Sequence, residues 1–289
     1  MIDFSKKYNR LFAIGCSFTQ CNNWPTWAAV ISTELNIPLY NLGHSGASNK
    51  YIQSQLFLLD NKYNLTSEDL VITQWTMPAR LSVLGDSFYS DSTQWQHWGS
   101  LTDHNVEVSN DREQAVGEIT KHQTYNTLLL DSLIAIKSSI LYQNTLPCDC
   151  VNLQMENVSE EKMFKIAGKL MPSFVSVLFP GYNSYADVLE NITEIHTGDE
   201  LPLHSKYRKR NLFLKAKANK ALYDLHPLPT EHVAYLENIL NYSFSNTVKQ
   251  LAKEDEQKWF STPYTGHVKN RDNTYYKLES LQQVVSLPG

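Results

Sequence analysis

Leu11-Phe12-Ala13-Ile14-Gly15-Cys16-Ser17-Phe18-Thr19 is the stretch that decides the fold. Its first four residues are apolar without alternation, as a strand covered on both faces must be, and such strands belong to parallel sheets. Gly15 ends the run, and Cys16-Ser17 predicts a turn at the strand's C-terminal end. Over residues 24–35 the apolar side chains of Trp27, Ala28, Val30, Ile31 and Leu35 fall at helical spacing, with Pro25 expected in the first turn. Residues 38–42 then predict a second strand, Ser48 or Asn49 a helix cap for residues up to about 59, and residues 69–75 a third strand. Three strand–helix units in succession predict an α/β fold with a parallel sheet and right-handed crossovers. Ligands then belong at the strands' C-terminal ends, beside Ser17, Gly46 and the residues after Trp75.

Regularity fades over residues 82–117, a stretch rich in acids and aromatics (Phe88, Tyr89, Trp95, Trp98) with Arg112 as its one arginine or lysine. It reads as an insertion. A long helix is expected over 118–141 and a fourth strand over 150–155. A second insertion follows near 159–217, and then a last helix that ends near Leu240. Residues 1–252 form one domain in this reading, and 253–289 a polar C-terminal extension.

With 42% hydrophobic and 19% charged residues in a chain of 289, there is apolar material for a substantial core. The net charge of −5 gives no global reason to expect nucleic-acid binding. Locally, Lys206, Arg208, Lys209, Arg210, Lys215, Lys217 and Lys220 lie in a stretch without acids, which reads as a solvated face or, as a weaker idea, a polyanion contact. Cys16, Cys21, Cys148 and Cys150 match no common zinc or redox spacing and are expected as free thiols. There is no apolar signal core at the start and no run of 18 apolar residues, so no membrane is expected as a partner. Synthesis and folding in a cytoplasm are the expectation, which a virion component released by lysis would share.

Ser17 follows the first strand directly, where a nucleophile needs to stand. A serine hydroxyl is weak until a base takes its proton. Tyr223-Asp224-Leu225-His226-Pro227 supplies an acid two residues before a histidine, ahead of a helix with Pro229 in its first turn. Such an acid orients the imidazole and stabilises its charged form. Each motif alone is also an ordinary turn.

Together, three segments stand in the order of the blocks of the SGNH (GDSL-type) hydrolases, which the chain resembles. Ile14-Gly15-Cys16-Ser17-Phe18-Thr19 is similar to the nucleophile block, Asn41-Leu42-Gly43-His44-Ser45-Gly46-Ala47-Ser48 to the glycine block, and Asp224-Leu225-His226-Pro227 to the acid–histidine block. With Gly46-Ala47-Ser48-Asn49 and Trp75-Thr76 followed by Arg80, the chain looks most similar to SGNH-like proteins of large bacteriophages and some bacteria. The resemblance implies a three-layer α/β/α sandwich, flavodoxin-like in its parallel sheet, and hydrolysis of an ester without metal or cofactor. Ser17 would attack, His226 act as base and then acid, Asp224 orient His226, and the N–H groups of Ser17 and Gly46 hold the oxyanion.

Two departures stand out. The family's third oxyanion donor is an Asn, and its position falls on Pro78, so Thr76 or Arg80 is the expected replacement. One residue, Leu225, separates acid and histidine where the family has two. Asn49 is a candidate cap or substrate contact, and Trp95 and Trp98 a candidate platform for sugar rings. His44 and His232 read as surface or packing residues. The two insertions would wall the site and favour a polar ester, such as an acetylated glycan, over a lipid. The rival reading is a non-catalytic binding or structural module, for example a phage particle component or a homo-oligomer, that keeps the fold.

Overall fold

Residues 11–14 are fully buried because their strand lies inside a parallel sheet with a neighbour on each side. The computed structural model describes residues 2–20, 24–78, 80–87, 90–100, 125–154, 180–181, 227–261 and 284–285. In chain order these form β1 (Arg10–Ile14), α1 (Trp27–Leu35), β2 (Leu39–Asn41), α2 (Asn49–Tyr63), β3 (Asp69–Trp75), β4 (Arg80–Ser87) and β5 (Ser90–Ser100). They continue with α3 (Tyr125–Gln143), β6 (Asp149–Gln154), α4 (Pro229–Leu240), α5 (Asn246–Ser261) and β7 (Val284–Val285). This is a mixed α/β fold. Its main parallel strands run in the order β6-β3-β1-β2, with the two-residue β7 parallel to the outer side of β2.

Counted among β1, β2, β3 and β6 alone, that order is 2-1-3-4. The chain steps from β1 outward to β2, then crosses back over β1 to β3, so the winding reverses between β1 and β3. At such a reversal the connections leave in opposite directions, which opens a crevice beyond the strands' C-terminal ends. Ser17 and Thr76 follow the two strands that flank it.

The helices take their ends from local chemistry. Ser48 caps α2, its hydroxyl accepting from the Tyr51 N–H at 3.4 Å. Thr26, and not a residue before Pro25, is the N-cap of α1, so Pro25 precedes the helix instead of occupying its first turn. α1, α2 and α4 each end at an asparagine in the left-handed region, Asn36, Asn64 and Asn241. At the start of α4, with Pro229 in its first turn, the Leu228 N–H donates to the Glu231 carboxylate at 2.8 Å. α2 packs on α3, and α4 packs on α1 and α5.

Two expectations change, and a third is tested only in part. The irregular insertion expected from residue 82 begins as an antiparallel hairpin of β4 and β5. Its strands mix Ser, Thr, Gln and Trp instead of alternating apolar and polar residues, so no period of two marks them. The long helix is described from Tyr125, and residues 101–124 lie outside the described residues. The boundary expected at 252/253 falls inside α5, which buries Val248, Ala252 and Asp255. That narrow stripe on a polar helix is what made the segment read as a solvated tail. The insertion near 159–217 and the basic stretch 206–220 lie outside the described residues, save a turn at 180–181. Among the described residues no helix is long and apolar enough to cross a membrane.

Two buried polar clusters fasten the sheet. At its N-terminal edge Arg10 grips Asp69 in a fork, Nε to Oδ1 at 2.7 Å and Nη2 to Oδ2 at 2.6 Å. The same guanidinium donates to the Tyr63 and Asn64 carbonyls where α2 ends. Under α3, the Gln143 and Asn152 amides bond each other, Gln143 donates to the Thr73 hydroxyl, and the Trp75 indole donates to Asn152. Every partner there is buried, so the cluster specifies one seating of α3 on β3 and β6.

Candidate active site

The turn after β1 is built around Thr19. Its N–H and that of Gln20 both donate to the Cys16 carbonyl at 2.9 Å, closing the turn that carries Ser17. The buried Thr19 hydroxyl donates to Gln74 Oε1 on β3 at 3.0 Å and accepts from the Trp27 indole of α1 at 3.2 Å. Its carbonyl accepts from the Thr26 hydroxyl and the Asn41 amide, each at 2.8 Å. One residue thereby ties the turn to β2, β3 and α1. Gly15 is obligatory beneath it, because a Cβ there would lie 2.1 Å from Thr19 Oγ1.

The glycine segment closes over the same turn. Leu42 N–H donates to Ala13 O and His44 N–H to Gly15 O, while Ser45 N–H reaches Gln20 Oε1 at 2.6 Å. Gly43 has no room for a Cβ, which would meet the Gln20 nitrogen at 2.6 Å, and Gly46 has a φ of 74°, in the left-handed region. Ser17 is 7% exposed. Among the described residues, its hydroxyl and the backbone N–H groups of Ser17 and Gly46 make no hydrogen bond, whereas the N–H groups of Thr19, Gln20, Ser45 and Ala47 are taken. The Ser17 hydroxyl thus stands on a turn that is held from three sides.

The other expected residues divide. Asn49 is buried, and its amide bonds the Thr76 backbone in both directions, Nδ2 to the carbonyl at 3.0 Å and Oδ1 from the N–H at 2.9 Å. It is not the helix cap, which is Ser48. It ties the start of α2 to the end of β3. Thr76 is therefore fixed through its backbone, and Pro78 beyond it is buried. Arg80 opens β4 with Nε and Nη1 buried and, among the described residues, without an acceptor or an ion-pair partner. Gln74 Nε2 is likewise buried and without a partner. Trp95 and Trp98 lie on β5, Trp95 opposite Leu84.

Asp224 and His226 lie outside the described residues. The chain is described again from Pro227, whose carbonyl accepts a hydrogen bond from the Trp24 indole. Trp24 lies in sequence between the Ser17 turn and α1, and its indole fastens Pro227, the residue after His226, across 203 positions of sequence. His232 is fully buried in α4, as a packing residue; His44 is exposed, its ring edge-on to Tyr51 at 5.9 Å. Burial pushes the Tyr51 phenol up to about 12, so it stays neutral next to the glycine segment. Among the described residues no group of three or more His, Cys, Asp or Glu is placed to hold a metal ion.

No family model matches the chain, and neither does any curated protein. The site is therefore read from its own geometry. Thr19, Asn41, Gln74 and Trp24 carry much of it, and none has a sequence signal of its own. Their partners are 8, 22, 55 and 203 positions away.

With two of its guanidinium nitrogens buried and without an acceptor among the described residues, what Arg80 does can be tested by removing it. If Arg80 serves as an oxyanion donor in an ester hydrolase, Arg80→Ala is expected to lower kcat on a model ester by about 10²-fold with little change in Tm. Unchanged turnover would remove Arg80 from the oxyanion site.

Proposed function

We propose that this chain is a serine esterase or deacylase of the SGNH type, a three-layer α/β/α protein that hydrolyses a short acyl ester on a carbohydrate or similarly polar alcohol. The observation that supports the reading is the Trp24–Pro227 hydrogen bond, which ties the residue after His226 to the chain between the Ser17 turn and α1. Ser17 Oγ attacks the carbonyl carbon as His226 takes its proton, with Asp224 orienting the imidazole. The N–H groups of Ser17 and Gly46 receive the developing oxyanion, joined by Arg80 or Thr76 in place of the donor that Pro78 lacks. His226 then protonates the leaving alcohol. Water, deprotonated by His226, attacks the acyl-enzyme, and collapse of the second tetrahedral intermediate frees the acid and Ser17.

A fluorophosphonate probe tests this directly, since it forms a covalent bond only with an activated serine. Labelling of the parent at Ser17, absent in Ser17→Ala, is the expected result. A parent that stays unlabelled supports the second reading, a structural or binding module such as a virion component, which Pro78 at the donor position favours. For a phage-encoded chain that reading implies cytoplasmic synthesis followed by residence in the particle.

Substrate size follows from the composition of the two insertions. The acidic, aromatic stretch that begins with the β4–β5 hairpin and the basic stretch 206–220 suit a polar, extended alcohol, with Trp95 and Trp98 as a stacking platform, better than an acyl chain needing a continuous apolar groove. Nitrophenyl acetate is expected to be turned over faster than nitrophenyl palmitate. A clear preference for palmitate would replace the glycan by a lipid.

A further inference from the structure

At the opposite edge of the sheet from Ser17, the start of β6 carries Cys148-Asp149-Cys150. In extended chain, residues two apart share a face. The side chain of Asp149 is accounted for separately, since it accepts from Lys6 at 2.8 Å and from the Tyr8 hydroxyl at 2.7 Å. The two sulfurs lie side by side at 3.9 Å as free thiols. Cys148 is buried at 9% exposure and Cys150 is partly open, which gives the pair a rigid floor and a path from solvent.

That separation has a chemical meaning. Two thiolates on one tetrahedral d¹⁰ ion, with metal–sulfur bonds of about 2.3 Å, stand about 3.8 Å apart. The sulfurs are therefore already at the spacing that shared coordination requires, and the strand pairing of Asp149 with Leu70 and Cys150 with Val71 holds them there. The Cys-x-Cys spacing differs from the common Cys-x-x-Cys of turns because here the chain is extended and two residues suffice.

We propose that Cys148 and Cys150 form a two-thiolate site for a single soft d¹⁰ cation such as Zn²⁺ or Cd²⁺. On binding, each thiol releases its proton to solvent and its sulfur donates an electron pair to the ion; nothing is oxidised or reduced. Among the described residues no third His, Cys, Asp or Glu completes the set. The remaining positions are left for water or for a donor on another molecule, so the site is an open one.

Cd²⁺ added to the reduced, metal-free full chain tests this by two readouts. The first is the ultraviolet sulfur-to-cadmium charge-transfer band, expected to saturate at one equivalent and to be lost in Cys148→Ser/Cys150→Ser. The second needs no variant: Cd²⁺ is expected to protect Cys148 and Cys150 together from alkylation in the parent, read by peptide mass spectrometry. No band in the parent, a band that persists in the folded double variant through Cys16 or Cys21, or alkylation of Cys148 and Cys150 unaffected by Cd²⁺ would each overturn the proposal.

Discussion

Asp69→Ala is expected to destabilise the chain by about 2–3 kcal/mol at neutral pH, because it removes the charged hydrogen bonds of the partly exposed Arg10 guanidinium. Asp69 is fully buried, and besides the Arg10 fork it accepts from the Thr66 N–H at 2.8 Å. Burial by itself raises its carboxyl, but the hydrogen bonds from Arg10 and Thr66 outweigh burial and hold it below the ordinary value of 3.8. A carboxyl depressed in the folded state contributes stability that is present above its unfolded value and lost as pH falls through the folded one. The gap between parent and variant in urea unfolding should therefore be full at pH 7 and shrink below about pH 4. A gap that does not change with pH would mean that the pair acts through packing alone.

Gly15→Ala is expected to cost about 3 kcal/mol or more, by overpacking and by breaking the Thr19 hydrogen bonds. The new methyl would lie 2.1 Å from Thr19 Oγ1, 3.0 Å from Thr19 Cβ and 3.2 Å from Gln74 Cβ. Thr19 is β-branched and its hydroxyl is held by Gln74 and Trp27, so it has no free rotamer to retreat into. Removing that hydroxyl should relieve part of the clash. In the double-mutant cycle with Thr19→Ala, a coupling of about 1 kcal/mol or more is expected between the two positions. Additive effects would show that the turn yields elsewhere, and then Thr19 is not what holds Ser17 in place.

The central strands were legible because their environment repeats along the chain. A strand covered on both faces reads as an apolar run, so residues 11–14 and the Leu70-Val71-Ile72 centre of 69–75 could be read without knowing their neighbours, and the third strand agrees with the expectation residue for residue. Ser48 as a cap and Pro229 in a first turn were equally local matters of a few backbone groups. The β4–β5 hairpin and α5 were not legible. Cross-strand pairing stabilises the first, and the second buries a narrow stripe against α4, so in each case the stabilising surface belongs to another part of the chain.

The site divides along the same line. The order of residues 11–19 was enough to place Ser17 after a buried strand, since this follows from rules acting over a few bonds, whereas the left-handed backbone of Gly46 came from the fold. Asn49 could not be assigned that way: a cap and a strand tie use the same amide, and only the approach of Thr76 from 27 positions away decided between them. The same holds for Thr19 between Gln74 and Trp27, for Trp24 on Pro227, and for two cysteines whose spacing matched no common site until an extended strand set their sulfurs 3.9 Å apart. Hydrogen bonds and metal geometry depend on distances through space, and folding sets those distances between residues whose separation along the chain carries no trace of them.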